Sequence, residues 1–221
     1  MSGVWIADLV ERIETADDGE SGKALQRFKR RGGVIVTSLS ADEVELLTSL
    51  VGQLVEMVSG GQPEQFGSPE PSGTEEPDPF IQWAREMEQP AETPEVPDDP
   101  ALQRLFPTAY PADADAAADF RRFTERDLRA TKVTEATTVL RGLAETERGR
   151  HQLRIPAAES DAWLRTLTGV RLAVATRLGI TDAEAAEELA AVPADDPRAF
   201  MASVYEWLGF AQETLIMALE R

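Results

Sequence analysis

Eleven of the fourteen prolines fall between residues 60 and 111, and this one bias decides how the chain can fold. Proline fixes φ and lacks an amide donor, so a segment this rich in it sustains neither a long helix nor a central strand. Residues 60–100 also carry eleven acids against one base, Arg85, and GGQPEQFGSPEPSGTEEPDP has almost no apolar surface to offset the entropy of ordering. An acidic, proline-rich linker over 59–100 is the expectation. Within it, Phe80, Ile81, Trp83, Ala84 and Met87 are spaced so that PFIQWAREME docks as a short helix. The core must then come from two blocks, 23–58 and 101–221, closing into one domain. Residues 1–22, with Trp5, Ile6, Leu9, Val10 and Ile13, form an amphipathic extension that packs on the body or on another chain.

Helical periodicity dominates both blocks. Ser40 and Glu43 make a capping box, and Val44, Leu47, Val51, Leu54 and Val58 repeat behind it at helical spacing. Pro111 and Asp113 precede a run without Pro or Gly as far as Arg141, which predicts one helix of about seven turns breaking near Gly142 to Gly149. After Pro156, Trp163, Leu167, Val170, Val174 and Leu178 share a face, with Arg165 and Arg171 off it and Gly179 where a left-handed C-cap belongs. Thr181 and Glu184 read as a second capping box. A last helix, expected from Pro197 behind Asp195 and Asp196, is to bury Phe200, Val204, Trp207, Leu208, Ala211 and Leu215. Strand signals are few: Val34, Ile35 and Val36 after Arg31-Gly32-Gly33, with ALQRF as hairpin partner, and Leu153 and Ile155 alternating in HQLRI. The fold expected is mainly α: five to six helices in one bundle-like domain, with a small two- or three-stranded antiparallel sheet from residues 24–38 and 151–155.

Chemistry is mostly excluded. The chain has no cysteine, hence no disulfide, thiolate nucleophile or thiol sensor, and His151 is its one histidine. Glu147 lies four residues before His151, but Gly149 interrupts the helix that would join them as ligands. No G-x-S-x-G elbow, Walker A loop or dinucleotide fingerprint occurs. No catalytic residue, metal or cofactor is expected. Residues 161–190 have a helix-turn-helix layout, but the second helix, DAEAAEELA, would be repelled by phosphates. A net charge of −18 disfavours non-specific nucleic-acid and anionic-membrane binding as well. Without a basic leader or long apolar run, a cytoplasmic location is the expectation.

One basic stripe stands out against that charge. Arg122, Arg126, Arg129 and Lys132 are spaced by four, three and three along one helical face. Such a face either docks an acidic partner or phosphate backbone, or pairs with the chain's own carboxylates. Glu125 to Arg129 has the favourable i to i+4 order, so a solvated ion-pair ladder contributing tenths of a kcal/mol per pair is expected in part of it.

The runs RFKRRGG, VIVTSLSADEVELL, DPALQRLFPTAYP, ADFRRFTERDLRATKV, LRIPAAESDAWLRTLTGVRLAVATRLGI and YEWLGFAQETL together resemble an actinobacterial family long catalogued as a domain of unknown function. Its members are described as oxidative-stress transcriptional regulators of the AosR type. The resemblance implies a non-enzymatic regulator that contacts a stress sigma factor, with a thiol pair in redox-active members. A cysteine-free chain does not carry that thiol pair. What carries over is a scaffold and a partner-binding face, with the matched residues Arg121, Arg122, Arg126, Asp127, Arg129 and Lys132 as its candidates. The family also resembles a genomic neighbour of a Clp protease adaptor and of a cysteine-synthesis pathway, which leaves open an adaptor in Clp proteolysis or cysteine biosynthesis. A small-molecule binder or enzyme using carboxylates and arginines, with Asp127, Arg129 and Arg165 lining a polar pocket, is the third reading. The Trp163 and Trp207 faces and the N-terminal extension also allow a homodimer.

Overall fold

The computed structural model describes residues 26–60, 96–193 and 195–220. The docking helix expected at PFIQWAREME and the N-terminal amphipathic extension lie outside them. The described residues form six α-helices and a three-stranded antiparallel sheet, in agreement with the expected mainly helical fold.

The sheet starts as a hairpin, β1 (Lys29–Arg31) and β2 (Val34–Thr37), joined by Gly32 and Gly33. Both glycines have positive φ, +54° and +80°, as a two-residue turn that follows strand twist requires. That turn corrects the expected pairing with ALQRF. With Arg31 opposite Val34, the residues facing β2 are Lys29 to Arg31, and Phe28 just upstream is buried in the core. On the other side of β2 lies β3 (Leu153–Pro156), with Ile35 opposite Ile155. Both isoleucines are buried on the face shared with Thr37 and Leu153.

Helix α1 (Ala41–Val58) opens with the expected capping box: Glu43 N–H donates to Ser40 Oγ, and Ser40 N–H to Glu43 Oε2 at 2.8 Å. Its predicted stripe is buried throughout. The short α2 (Pro100–Leu105) has proline in its first turn and Asp99 as N-cap. Helix α3 (Ala114–Ala144) starts behind Asp113, whose carboxylate accepts from Ala116 N–H.

Gly142 was expected at the end of α3 but lies inside it. Trp163, 1% exposed, packs so closely that a Cβ on Gly142 would sit 2.8 Å from its Cζ2. Glycine is there for a contact, not a stop. A single 3₁₀ turn, Ala157–Glu159, leads from β3 into α4 (Ser160–Arg177). That helix buries Trp163, Leu167, Val170 and Val174 and ends at Gly179 with φ +75°.

Two boundaries differ from expectation. Asp182, not Thr181, caps α5 (Ala183–Ala190): its carboxylate accepts from Ala185 N–H at 2.9 Å and from the Thr181 hydroxyl at 3.0 Å. A carboxylate at the helix N-terminus also meets the dipole, which a hydroxyl does not. Helix α6 (Ala199–Leu219) starts two residues after Pro197, because the Asp196 carboxylate takes the Arg198 N–H in a preceding turn. Phe200 and Trp207 are only half-buried; the Trp207 indole N–H donates to Glu43 Oε1 at 3.1 Å. The core lies between α1, the second half of α3, α4 and α6, with α2 laid on α4 and the sheet against α3 and α6. Ala175, Ile180, Leu189 and Ala202 form a smaller cluster beneath α5. Among the described residues no helix is long and apolar enough to cross a membrane.

Candidate partner-binding face on helix α3

Helix α3 has two unlike halves. The second buries Ala136, Val139, Gly142 and Leu143, whereas the first buries only Ala117 and Glu125. Its sequence, ADAAADFRRFTERDLRATK, places few aliphatic side chains on the inward face, and a carboxylate stands where a leucine would be ordinary.

Glu125 is 4% exposed and held by two arginines of the same helix. Arg121 Nε lies 3.1 Å from Oε2, while Arg129 donates to Oε1 from Nε at 2.9 Å and Nη2 at 2.7 Å. The spacing 121, 125, 129 puts all three on one face. Arg129 reaches further: its Nη1 donates to the Val58 carbonyl, and its guanidinium lies 4.7 Å from the centroid of the buried Phe106 ring. Lys132 Nζ is 5.8 Å from the same ring. The cluster therefore fastens the end of α1 and the chain after α2 onto α3. A solvated ladder was expected here; these charges are instead largely withdrawn from water and satisfied by one another.

The remaining candidates turn outward. Arg122 pairs with Asp119 at 3.1 Å and lies 4.7 Å over the ring of Phe123, which is 71% exposed. Arg126 and Asp127 are exposed, and their side chains make no ion pair or hydrogen bond among the described residues. Beside them Phe120 and Leu128 are exposed as well, and Tyr110 meets Phe120 edge-on at 5.8 Å. So the six predicted residues separate into an inward group, Arg121, Arg129 and Lys132, and an outward one, Arg122, Arg126 and Asp127. Sequence reasoning missed the aromatics. Their signal was Phe120 and Phe123 three apart, off the face that carries Ala136, Val139 and Leu143.

Asp127, Arg129 and Arg165 point to different surroundings. Asp127 is exposed, Arg129 faces Glu125, and Arg165 is bound to Glu135 at 2.8 Å. Arg171 stacks 4.5 Å over Tyr205, its guanidinium passing so close to Gly209 that a Cβ there would lie 3.2 Å from Nη2. His151 is exposed, 3.5 Å from Glu147, and no group of three possible ligands is placed to hold a metal among the described residues. A mainly apolar groove of about 390 Å³ between α1 and α4, with Leu50, Leu54, Met57 and Val174 on its walls, has an Asp99–Arg177 pair at its edge. Burial works to raise the Asp99 carboxyl, but the bonds from Arg177 and the Ala101 N–H outweigh it and hold it below the usual carboxylate range.

Fold and surface together define an acidic helical protein whose functional candidate is an exposed aromatic and arginine face. The chain belongs to the DUF2017 family, a domain of unknown function, whose family model matches residues 25–219. It is 27% identical over 218 residues to the oxidative stress regulator AosR of Mycobacterium tuberculosis, covering 91% of each chain. A Mycobacterium leprae protein given the same name provisionally is 35% identical over 136 residues, 56% of this chain and 59% of that protein's length. No solved structure matches the chain.

Proposed function

We propose that the chain is a regulatory protein acting by protein contact, receiving a sigma factor or another component of the transcription machinery on the outer face of α3. One observation carries this reading: Phe123 stands 71% exposed in the middle of a helix, with the Arg122 guanidinium over its ring and Arg126 and Phe120 beside it. Aromatic rings and arginines are the residues that most often anchor protein interfaces, and water is a poor environment for such a ring. The relatives' name, oxidative stress regulator, supports the regulatory class. Having no cysteine, the chain takes no part in thiol sensing itself, so an oxidant signal reaches it through its partner.

The test is binding of the purified full chain to a purified actinobacterial stress sigma factor and to core RNA polymerase, by interferometry. One of them should bind, Phe123→Ala should weaken it by about 30-fold, the scale of an interface anchor, and Arg122→Glu with Arg126→Glu should abolish it. A thiol-specific oxidant applied to this chain alone should change nothing. Binding to neither protein, or binding indifferent to all three substitutions, overturns the reading.

A further inference from the structure

The chain's densest cationic run is on the sheet, not on α3. Arg27, Lys29, Arg30 and Arg31 occur within five residues, all exposed, and Arg154 of β3 lies in the same cross-strand row as Lys29 through Val36. In a protein with forty acids, nine of the described arginines sit in salt bridges. The side chains of Arg27, Lys29, Arg31 and Arg154 make no ion pair or hydrogen bond among the described residues, and that of Arg30 bonds only the Leu219 carbonyl. Carboxylates neutralise most of the other described arginines, whereas this group stands together with no carboxylate of the described residues on it.

Shape and backbone agree with the charge. In the order β1-β2-β3, β1 is an edge. With Arg31 opposite Val34 across a two-residue turn, the bonds to β2 fall on Arg31 and Lys29, which turns the Arg30 N–H and C=O to the free side. Alongside runs a groove of about 480 Å³ between β1 and the last turns of α6, with Phe28, Met217 and Ala218 as apolar lining and Arg27, Lys29 and Arg31 around it. Charged side chains on a short edge ordinarily keep other strands away. They repel cationic or apolar strands, but attract an acidic one. No aromatic side chain lies on β1, β2 or β3, so unstacked bases would find no platform.

We infer that the β1 edge groove receives an extended acidic segment of a partner protein by strand addition, with the segment's carboxylates on Lys29, Arg31 and Arg27 and its main chain on Arg30. This surface is separate from the outer face of α3 and does not depend on that reading.

The probe is a fluorescein-labelled eight-residue peptide alternating Glu and Val, titrated by anisotropy with the full chain. Saturable binding is expected, with at least tenfold loss in Lys29→Glu/Arg31→Glu and an unchanged melting temperature, since both side chains are exposed. N-methylation of alternate peptide amides should cost at least fivefold, which charge attraction alone would not. Arg122→Glu with Arg126→Glu should leave this affinity unchanged. The inference is overturned if a control peptide alternating Lys and Val binds as well, if N-methylation has no effect, or if single-stranded DNA of equal charge competes at lower concentration. Tighter peptide binding on deletion of residues 61–95 would also overturn it, because the chain's own acidic segment would then be the occupant.

Discussion

Replacing Glu125 by Gln tests how α3 is held. The carboxylate accepts two hydrogen bonds from Arg129 and is ion-paired with Arg121 at 3.1 Å, in a site where Glu125 is 4% exposed. Breaking a fully buried pair by removing one partner costs about 3–5 kcal/mol. Here the Arg121 and Arg129 side chains keep 10% and 22% of their exposure, so each recovers some hydration when the charge is lost. Glutamine keeps one acceptor but points its NH₂ at the other guanidinium. A loss of about 2–3 kcal/mol follows, on the scale of one or two charge-assisted bonds. At about 2–4 °C per kcal/mol for a domain of this size, the melting temperature should fall by about 4–12 °C.

Urea denaturation followed by circular dichroism gives the free energy directly. Two companions rank the contacts. Arg129→Met should cost more than Arg121→Met, because Arg129 also holds the Val58 carbonyl and covers Phe106. A loss below about 0.5 kcal/mol for Glu125→Gln, the value of an exposed i,i+4 pair, would refute the reasoning and return the cluster to a solvated ladder.

Gly142→Ala should destabilise by about 1–2 kcal/mol in the same assay: the new methyl meets Trp163 at 2.8 Å, and the higher helix propensity of alanine offsets only part of that. Near-ultraviolet dichroism should change with it as the indole shifts. Gly149→Ala should cost more than Gly32→Ala, although both glycines have positive φ, because its Cβ would sit 2.6 Å from the Leu39 carbonyl while Gly32 has open space. In acid, Asp99 has a folded-state value below its unfolded one, so its contribution is complete above about pH 4 and is lost as pH falls through the folded value. Stability measured from pH 5 to pH 2 should therefore fall less steeply in Asp99→Asn than in the parent. Asp196, held to about 2 by Arg198, titrates at the foot of that range.

Those responses come from contacts of unequal visibility in the sequence. Ser40 and Glu43 could be read because a capping box is closed within four residues, and the α1 stripe followed because each member faces the same way. Gly142 misled because a helical glycine looks like a stop until the indole from α4 is seen against it. The hairpin partner differs for a related reason: the length of the Gly-Gly turn sets the register and makes the cationic Lys29–Arg31, not ALQRF, the strand. Where a contact is local, sequence names it; where a second element sets the outcome, only the class of residue is legible.

The same limit governs the surfaces. Spacing put Arg122, Arg126, Arg129 and Lys132 near one another on α3, but it could not say which would find a carboxylate. Glu125 draws Arg121 and Arg129 inward, and Arg126 stays outside because no acid of the described residues reaches it. On β1 the sorting runs the other way: neighbouring side chains alternate across the strand, the opposing positions on β2 are Val36, Ile35 and Val34, and no carboxylate of the described residues pairs with Lys29 or Arg31. A net charge of −18 therefore describes the molecule poorly as a partner. What another protein meets is the set of cations that no carboxylate of the described residues pairs, and at moderate salt, with a screening length of about 8–10 Å, that local set outweighs the distant acids.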